Sequence, residues 1–453
     1  MYNRYSTSEW GGSVPEQWLR IPIKRLFNVV SGATPSSVDS KNWNGSIAWI
    51  TPADFSNTSR YIVKGKKSIT DTGYRSCGTT IVPQGSIVIT KRAPIGNVMI
   101  AANKLCTNQG CLSLVKKKDL NEGYFYFLLS CYAGIFNALG TGTTFKEISL
   151  QTFSDFKIPV PSRTEQDQIV RYLDWKTSEI HRLINGLQQQ ILLLKQRNQV
   201  IIDHAVTKGI RKNRELRADK AEWMGSVPSE WLSCRMKNFF IETNVRSVDG
   251  HEPHLSMSQK KGLVTDDEDI ERRLLSESYV GGKVCQKDDL VLNRLKAHLG
   301  VFALAPMEGV ISPDYTVLHL NQDRIIPKYA EYLLRSNACR KELRTRVRGI
   351  VEGFWRLYTE DLGSIPVCLP DIDEQKEILD YVKDYEEKSN QMIGKLEKEI
   401  ELLREYRTRL ISDVVTGQMD VRNVEIPDYI PEQDEVIDAV DETDVGEVDA
   451  DAE

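Results

Sequence analysis

Residues 9–19 read EWGGSVPEQWL and residues 222–232 read EWMGSVPSEWL. Eight of the eleven positions are identical at a constant offset of 213, and Trp10 coincides with Trp223 as Trp18 does with Trp231. Chance does not readily produce such a match, so the chain is read as an internal duplication, and the repeat sets the architecture. A second pair lies further along: IPVPSRTEQDQIVRYL (158–173) and IPVCLPDIDEQKEILDYV (365–382) both run from a strand end through Glu-Gln into an apolar helix. From there the halves align at an offset of 209, through to AVT (205–207) and VVT (414–416). Between these anchors the agreement is weaker. GSIVITKRAPIG (85–96) resembles DDLVLNRLKAHLG (288–300) with one gap, and GYFYFLLS (123–130) resembles KYAEYLLR (328–335). The expected fold class is α+β: two pseudo-repeated mixed α/β globules joined by two long antiparallel coiled-coil helices. The expected order is a globule over 1–162, a helix and linker over 163–217, a globule over 218–370, a helix over 371–423 and an acidic tail over 424–453, read as disordered.

Heptads support the helices. In the first, position a is taken by Val170, Thr177, Ile184, Ile191, Asn198 and Ala205, and position d by Leu173, Ile180, Leu187, Leu194 and Ile201. In the second, a is Leu379, Glu386, Ile393, Ile400, Arg407 and Val414, and d is Val382, Ser389, Leu396, Leu403 and Leu410. Such seams must be buried, and each helix is the obvious partner of the other. Net charges of +1 over 164–208 and −4 over 373–416 favour that pairing mildly. At about 1.5 Å per residue each helix makes a rod of roughly 65 Å. An antiparallel pair would be a spacer between two binding surfaces, on the scale of successive DNA major grooves about 34 Å apart.

The formal net charge is −5, which argues against a nucleic-acid partner until its distribution is read. Residues 424–453 hold 13 acidic residues and no Lys or Arg, leaving +8 on residues 1–423. No apolar run approaches the roughly 18 residues that cross a bilayer. The polar start MYNRYSTSEW lacks a signal-peptide core, so a cytoplasmic protein with no membrane partner is expected. The 8 cysteines are scattered without a C-x-x-C pair, so reduced thiols and no metal site are expected.

The globules offer basic loops. Lys91 and Arg92 lie between two strands at 87–101, and Arg294 and Lys296 lie on the corresponding loop. GTGTTFKEI (140–148) places Thr143, Thr144 and Lys146 on a second loop, and GIVEGFWRLYTEDL (349–362) places Trp355 and Arg356 on its counterpart. Hydroxyls, amides and cations of this kind hold phosphates or reach base edges, although packing of the aromatics onto the core is the commoner role. RSNACRKELRTRVR (335–348) carries six basic residues and one acidic, and a helix would align Arg340, Arg344 and Arg348 on one face.

These features together resemble the specificity subunits of type I restriction-modification systems. The residues that carry the resemblance are GATPSS (32–37), NWNGSIAWITPADF (42–55), ITKRAPIGN (89–97), TNQG (107–110), GTGTTFKEI and the duplicated IPV-to-EQ-to-helix units, over about residues 9–423. The resemblance implies two target-recognition domains, each reading half of a bipartite, asymmetric sequence in double-stranded DNA. It implies two modification (methyltransferase) subunits and restriction (translocase and nuclease) subunits as partners. S-adenosylmethionine, ATP and magnesium would belong to those partners, with no cofactor bound by this chain. The second globule departs from the pattern: NVRSVDGHEPHLSMSQKKG (244–262) stands where Gly-x-Thr-Pro and Trp-Ile-Thr-Pro would be.

An enzyme reading finds no chemistry to use. No G-x-x-x-x-G-K-[ST] loop and no Asn-Pro-Pro-aromatic or Asp-Pro-Pro-aromatic motif is present, and PDIDEQK (370–376) is better read as a helix cap at Asp371 or Asp373. The alternatives are a non-catalytic coiled-coil scaffold, which leaves the duplicated basic globules unexplained, and an RNA-binding protein, which binding to duplex DNA would separate.

Overall fold

The computed structural model describes residues 5–8, 12–55, 59–92, 94–142, 146–258, 262–265, 279–296, 299–349, 355–429 and 437–438, those of 5–8, 12–13 and 437–438 without their side chains. The chain forms two compact units, residues 1–186 with 398–453, and residues 187–397. They cut across chain order because each globule combines with a part of both long helices.

Each globule has its own sheet, and the two repeat one strand order. In the first, strands Phe27–Ser31, Cys111–Lys116, Ile87–Thr90 and Val98–Ala101 are hydrogen-bonded in that order, and all three pairings are antiparallel. In the second, Phe240–Thr243, Tyr315–Leu320, Leu290–Asn293 and Phe302–Leu304 repeat the order and the directions. Strands such as Ile87–Thr90 and Val98–Ala101 are buried throughout, which explains their continuous apolar runs. The first sheet is extended by Tyr61–Lys64 and, in parallel with it, by Ile437–Asp438. It also gains a smaller sheet of Leu105–Thr107, Trp43–Ile50 and Lys67–Ile69. The duplicated sequence units pair with each other inside each globule: Leu19–Pro22 with Lys157–Val160, and Leu232–Arg235 with Pro366–Leu369.

The first long helix spans Arg163–Lys208 and the second Ile372–Val415. In the first unit the opening turns of the first helix meet the segment that closes the second. Gln168 Nε2 donates to Val424 O at 2.8 Å and Val421 O at 3.1 Å. In the second unit Arg197 lies over Tyr385 at 6.0 Å, and Arg211 and Arg214 pair with Glu377 and Glu374 at the start of the second helix. The chain directions are therefore opposed in each unit. Asp371 caps the second helix by accepting from Glu374 N at 2.8 Å.

Along the seam Leu173, Ile180, Ile184, Ile191, Ile393, Ile400 and Leu410 are buried, and Leu187, Leu194, Leu396 and Leu403 are half-buried. The expected d residue Ile201 is only half-buried, and its neighbour Ile202 is buried instead. A straight helix of 3.6 residues per turn drifts about 20° per heptad, and five heptads carry the seam one residue along. Here Ile202, Ala205 and Val206 join the core of the second globule.

The sequence repeat now has a structural reason. Gly209 and Gly417 follow the two long helices with φ of 76° and 74°, the left-handed cap that glycine adopts without penalty. A Cβ on Gly417 would lie 2.5 Å from Pro15 and 3.1 Å from Trp18, and one on Gly209 would lie 3.2 Å from Trp231. Each GSVPxxW segment thus packs its buried tryptophan on the end of the helix from the other repeat or the one just before it. A tyrosine also reaches each helix end: Tyr124 donates to Val415 O at 3.2 Å and Tyr329 to Val206 O at 2.8 Å. No helix among the described residues is long and apolar enough to cross a membrane. All eight cysteines are unpaired.

Candidate nucleic-acid interface

The basic loop of each globule leaves the strand Ile87–Thr90 or its equivalent Leu290–Asn293 and is tied down by a backbone strap. In the first globule Ile148 N donates to Lys91 O at 3.0 Å. The residue before it, Glu147, exchanges two hydrogen bonds with Thr141, at 2.9 and 3.0 Å. In the second globule Leu357 N donates to Arg294 O at 3.1 Å, and Arg356 exchanges two bonds with Arg348, at 2.8 and 2.9 Å. This register makes Lys91 equivalent to Arg294, Ile148 to Leu357, and Glu147 to Arg356. Pairing Lys146 with Arg356, as loop composition suggested, is one residue out.

The side chains on these loops are unequally committed to partners. Lys91 Nζ lies 2.8 Å from Glu147, which also holds Arg92 at 3.6 Å. Arg294 donates to Thr316 Oγ1 at 2.5 Å and to Glu242 at 3.0 Å. Lys296 and Arg356 are exposed, with no ion-pair partner among the described residues, and Lys146 is exposed. Trp355 is half-buried beside the strap. Thr143 and Thr144 lie outside the described residues.

The helical face of three arginines does not form. The helix is Asn337–Arg346, and Arg348 lies beyond its end, drawn into the bridge with Arg356 and paired with Asp361 at 2.5 Å. Arg340 turns inward against Gly300, where a Cβ would come within 2.4 Å of its Nε. Burial and the neighbouring Arg335 lower its pKa from the usual guanidinium range. Of the two arginines of the trio that lie on the helix, Arg344 is the exposed one. The close approach of Gly300, itself at φ 77°, is what draws Arg340 under the loop.

In the first globule a second loop cluster forms around two tryptophans. Trp49 Nε1 donates to Ala33 O at 3.0 Å and Trp43 Nε1 to Ser36 O at 3.1 Å, fastening the GATPSS loop. Ala33 N donates to Thr107 O at 3.0 Å, and Lys91 N to Gly110 O at 2.9 Å, so the TNQG turn joins this loop to the basic one. Asp54 closes the cluster by accepting from Thr51 N and Lys66 N at 2.7 and 2.8 Å. The surface carries exposed Thr34, Lys41, Asn44, Lys66, Lys67 and Gln109, with Thr34 bonded to Gln109. None of these six was picked out as a contact residue, although the motifs around them were visible. The second globule instead has an open cleft of about 510 Å³ beside Arg294, lined among others by Arg235, Lys237, Glu242 and Tyr358. No cluster of metal-ligating side chains occurs among the described residues.

Two repeated sheets with basic loops, mounted on opposed long helices, define a class of paired recognition modules. The family model for the type I restriction modification DNA specificity domain matches residues 15–193 and 242–402. The chain belongs to the family of type I restriction-modification specificity subunits. It is 36% identical over 167 residues to the MjaIX specificity subunit of Methanocaldococcus jannaschii, a match that covers 36% of this chain and 39% of that one. Longer matches reach the EcoBI specificity subunit of Escherichia coli, 23% identical over 81% of this chain and 79% of that one, and the MjaVIII subunit of M. jannaschii, 20% identical over 91% and 96%. A solved chain from work on assembly and conformational transition of the type I R-M system has a TM-score of 0.58 at 13% identity, covering 90% of this chain and 99% of that one, a likeness of fold.

Proposed function

We propose that this chain reads a bipartite, asymmetric site in double-stranded DNA, each globule taking one half, and that it has no catalytic centre of its own. The observation that carries the proposal is the duplicated strap. Two globules with one strand order present their basic loops through the same backbone hydrogen bonds while the side chains on those loops differ. A shared scaffold with unlike surfaces suits two unlike half-sites. Base contacts are assigned to Lys91, Arg92, Lys146, Thr143 and Thr144 in the first globule, together with the Thr34 and Gln109 cluster. In the second they are assigned to Arg294 and Trp355. Lys296, Arg344, Arg348 and Arg356 serve phosphates, and Arg340 serves the fold.

The partners are two modification subunits, which would methylate adenine, and restriction subunits. S-adenosylmethionine, ATP and magnesium are theirs. The place of action is the cytoplasm, where DNA and those partners meet. The test is single-molecule methylation sequencing of DNA from cells carrying this chain with its modification subunit, against cells lacking this chain. The expected result is a new two-part, asymmetric adenine motif that requires the chain. An assembled complex that produces no motif would overturn the proposal.

A further inference from the structure

The strap that fixes each basic loop carries opposite charge in the two globules. Its bridging pair is Thr141 with Glu147 in the first and Arg348 with Arg356 in the second. A second equivalent position agrees. Ile23 N donates to Phe156 O and Met236 N to Ile365 O, both at 3.0 Å, which aligns Lys24 with Lys237 and Asp155 with Ser364. Lys24 is paired with Asp155 at 2.5 Å, and the hydrogen bond from Lys24 holds that carboxyl below its usual range. Lys237 meets a serine position instead and is exposed, with no ion-pair partner among the described residues. So two acids that occupy cations beside the first strap are replaced, at the same backbone sites, by an arginine and a serine. Of the acids near the second strap, Glu242 is committed to Arg294 and Asp361 to Arg348, and Glu360 lines the cleft with Lys237. Lys237, Lys296 and Arg356 are left facing solvent.

We infer that the two globules divide their work on DNA: the second, through Arg356 and its neighbours, anchors to phosphate irrespective of sequence, while Glu147 shields Lys91 and Arg92 from phosphate, making the first the more discriminating. The division rests on the DNA-reading role proposed above. A carboxylate within 2.8–3.6 Å of both cations cancels one of their two charges and so about half of their long-range attraction for a polyanion. It gives them up only where a base edge offers a replacement partner in the right geometry. An uncompensated arginine binds any phosphate and releases counterions as it does so. Glu147 is therefore a positioning residue that acts through Lys91 and Arg92.

The test uses the full chain assembled with its modification subunits and a fluorescein-labelled duplex of arbitrary sequence, with affinity followed against salt. Arg356→Gln is expected to make the slope of log K against log salt shallower by about 0.9, the value of one phosphate contact. Glu147→Gln is expected to tighten binding at low salt about twofold to fivefold, the weight of a half-exposed pair, and to steepen the slope. Adding Arg92→Gln to Glu147→Gln should return the slope to that of the parent, a reversal that loosening of the strap would not produce. The backbone bridge does not need the Glu147 side chain, and the melting temperature of each variant checks that it holds. An unchanged slope for Arg356→Gln, or weaker binding by a folded Glu147→Gln, overturns the division. Failure of the parent complex to bind any duplex overturns the DNA-reading role, and the division with it.

Discussion

Replacing Gln375 by leucine tests what the duplicated Glu-Gln unit is for. Gln375 is fully buried at the start of the second long helix. Its Nε2 donates to Pro370 O and Arg324 O, both at 3.0 Å, and its Oε1 accepts from Ile326 N at 2.8 Å. The side chain thus ties the helix start to the loop that leads into the helix Pro327–Arg335. Leucine is near in volume but satisfies none of the three groups, and each stranded backbone group costs about 1–3 kcal/mol. Part of that is recovered by burying an apolar side chain, leaving a net loss of about 3–5 kcal/mol. The equivalent Gln166 has two such bonds, to Pro161 O and from Asn121 N, both at 3.0 Å, so Gln166→Leu should cost about two thirds as much. With a urea slope near 2 kcal/mol per molar, the midpoints should fall by about 1.5–2.5 M for Gln375→Leu and about 1–1.5 M for Gln166→Leu. Hydrogen exchange read by mass spectrometry should localise the two losses to the segments around 324–334 and 119–129. A loss below 1 kcal/mol in either variant, or a larger loss for Gln166→Leu, would refute the reasoning from buried amides.

Arg294→Ala should leave the fold intact, because the strap bonds to its backbone carbonyl and its ion pair with Glu242 is partly exposed, while duplex binding falls. If the contact is bidentate to guanine, discrimination at one base pair should drop by about 1–3 kcal/mol, and equal binding of all duplexes by mutant and parent would remove Arg294 from the interface. Lengthening both long helices by one matched heptad adds about 10.5 Å, roughly three base pairs, and methylation sequencing should show wider half-site spacing with the same bases. Altered half-site letters would contradict the helices' role as spacers. Burial pushes the thiols of Cys106 and Cys368 up to about 12 and that of Cys285 to about 11, so these stay protonated at pH 8. Iodoacetamide should label them far more slowly in the native protein than in urea, and rapid native labelling would show the cores to be open.

What the sequence made legible is what the two halves must share. The tryptophans at 18 and 231 recur because both cover a glycine-capped helix end, and Gln166 and Gln375 recur because both satisfy buried backbone. The heptads were readable over most of their length, since burial on a helix follows a fixed period. They failed at Ile201, where helix-on-helix contact gives way to packing on the globule and the 3.5 period no longer applies. The surface was harder. Equivalence of Glu147 and Arg356 rests on which amide reaches which carbonyl, and loops of different length hide that register. Arg348 was placed on a helix by spacing alone, but the backbone leaves the helix after Arg346 to make the strap. Glu147 carries no sequence signal of its own, because basic composition marks a DNA surface and the residue that pairs with two of its cations is an acid.

The arrangement also explains why recognition can diverge without loss of the fold. Each globule is held to the helices by the buried tryptophan, the tyrosine that bonds a helix carbonyl and the buried glutamine, with side-chain pairs such as Arg60–Asp174 and Tyr332–Glu386 beside them. The basic loop takes its register from backbone amides and carbonyls, to which side-chain pairs such as Lys91–Glu147 and Arg348–Asp361 are added. A backbone strap is indifferent to side-chain identity, so Thr-Glu and Arg-Arg occupy the same bridge without changing its geometry. Selection for a new half-site can then act on charge and shape at residues such as 147 and 356, while the cost in stability stays near that of a surface substitution. The same logic separates mutations by consequence. Changes at Trp18, Trp231, Gln166 or Gln375 should destabilise a unit, whereas changes at the strap should alter which DNA is bound and at what salt.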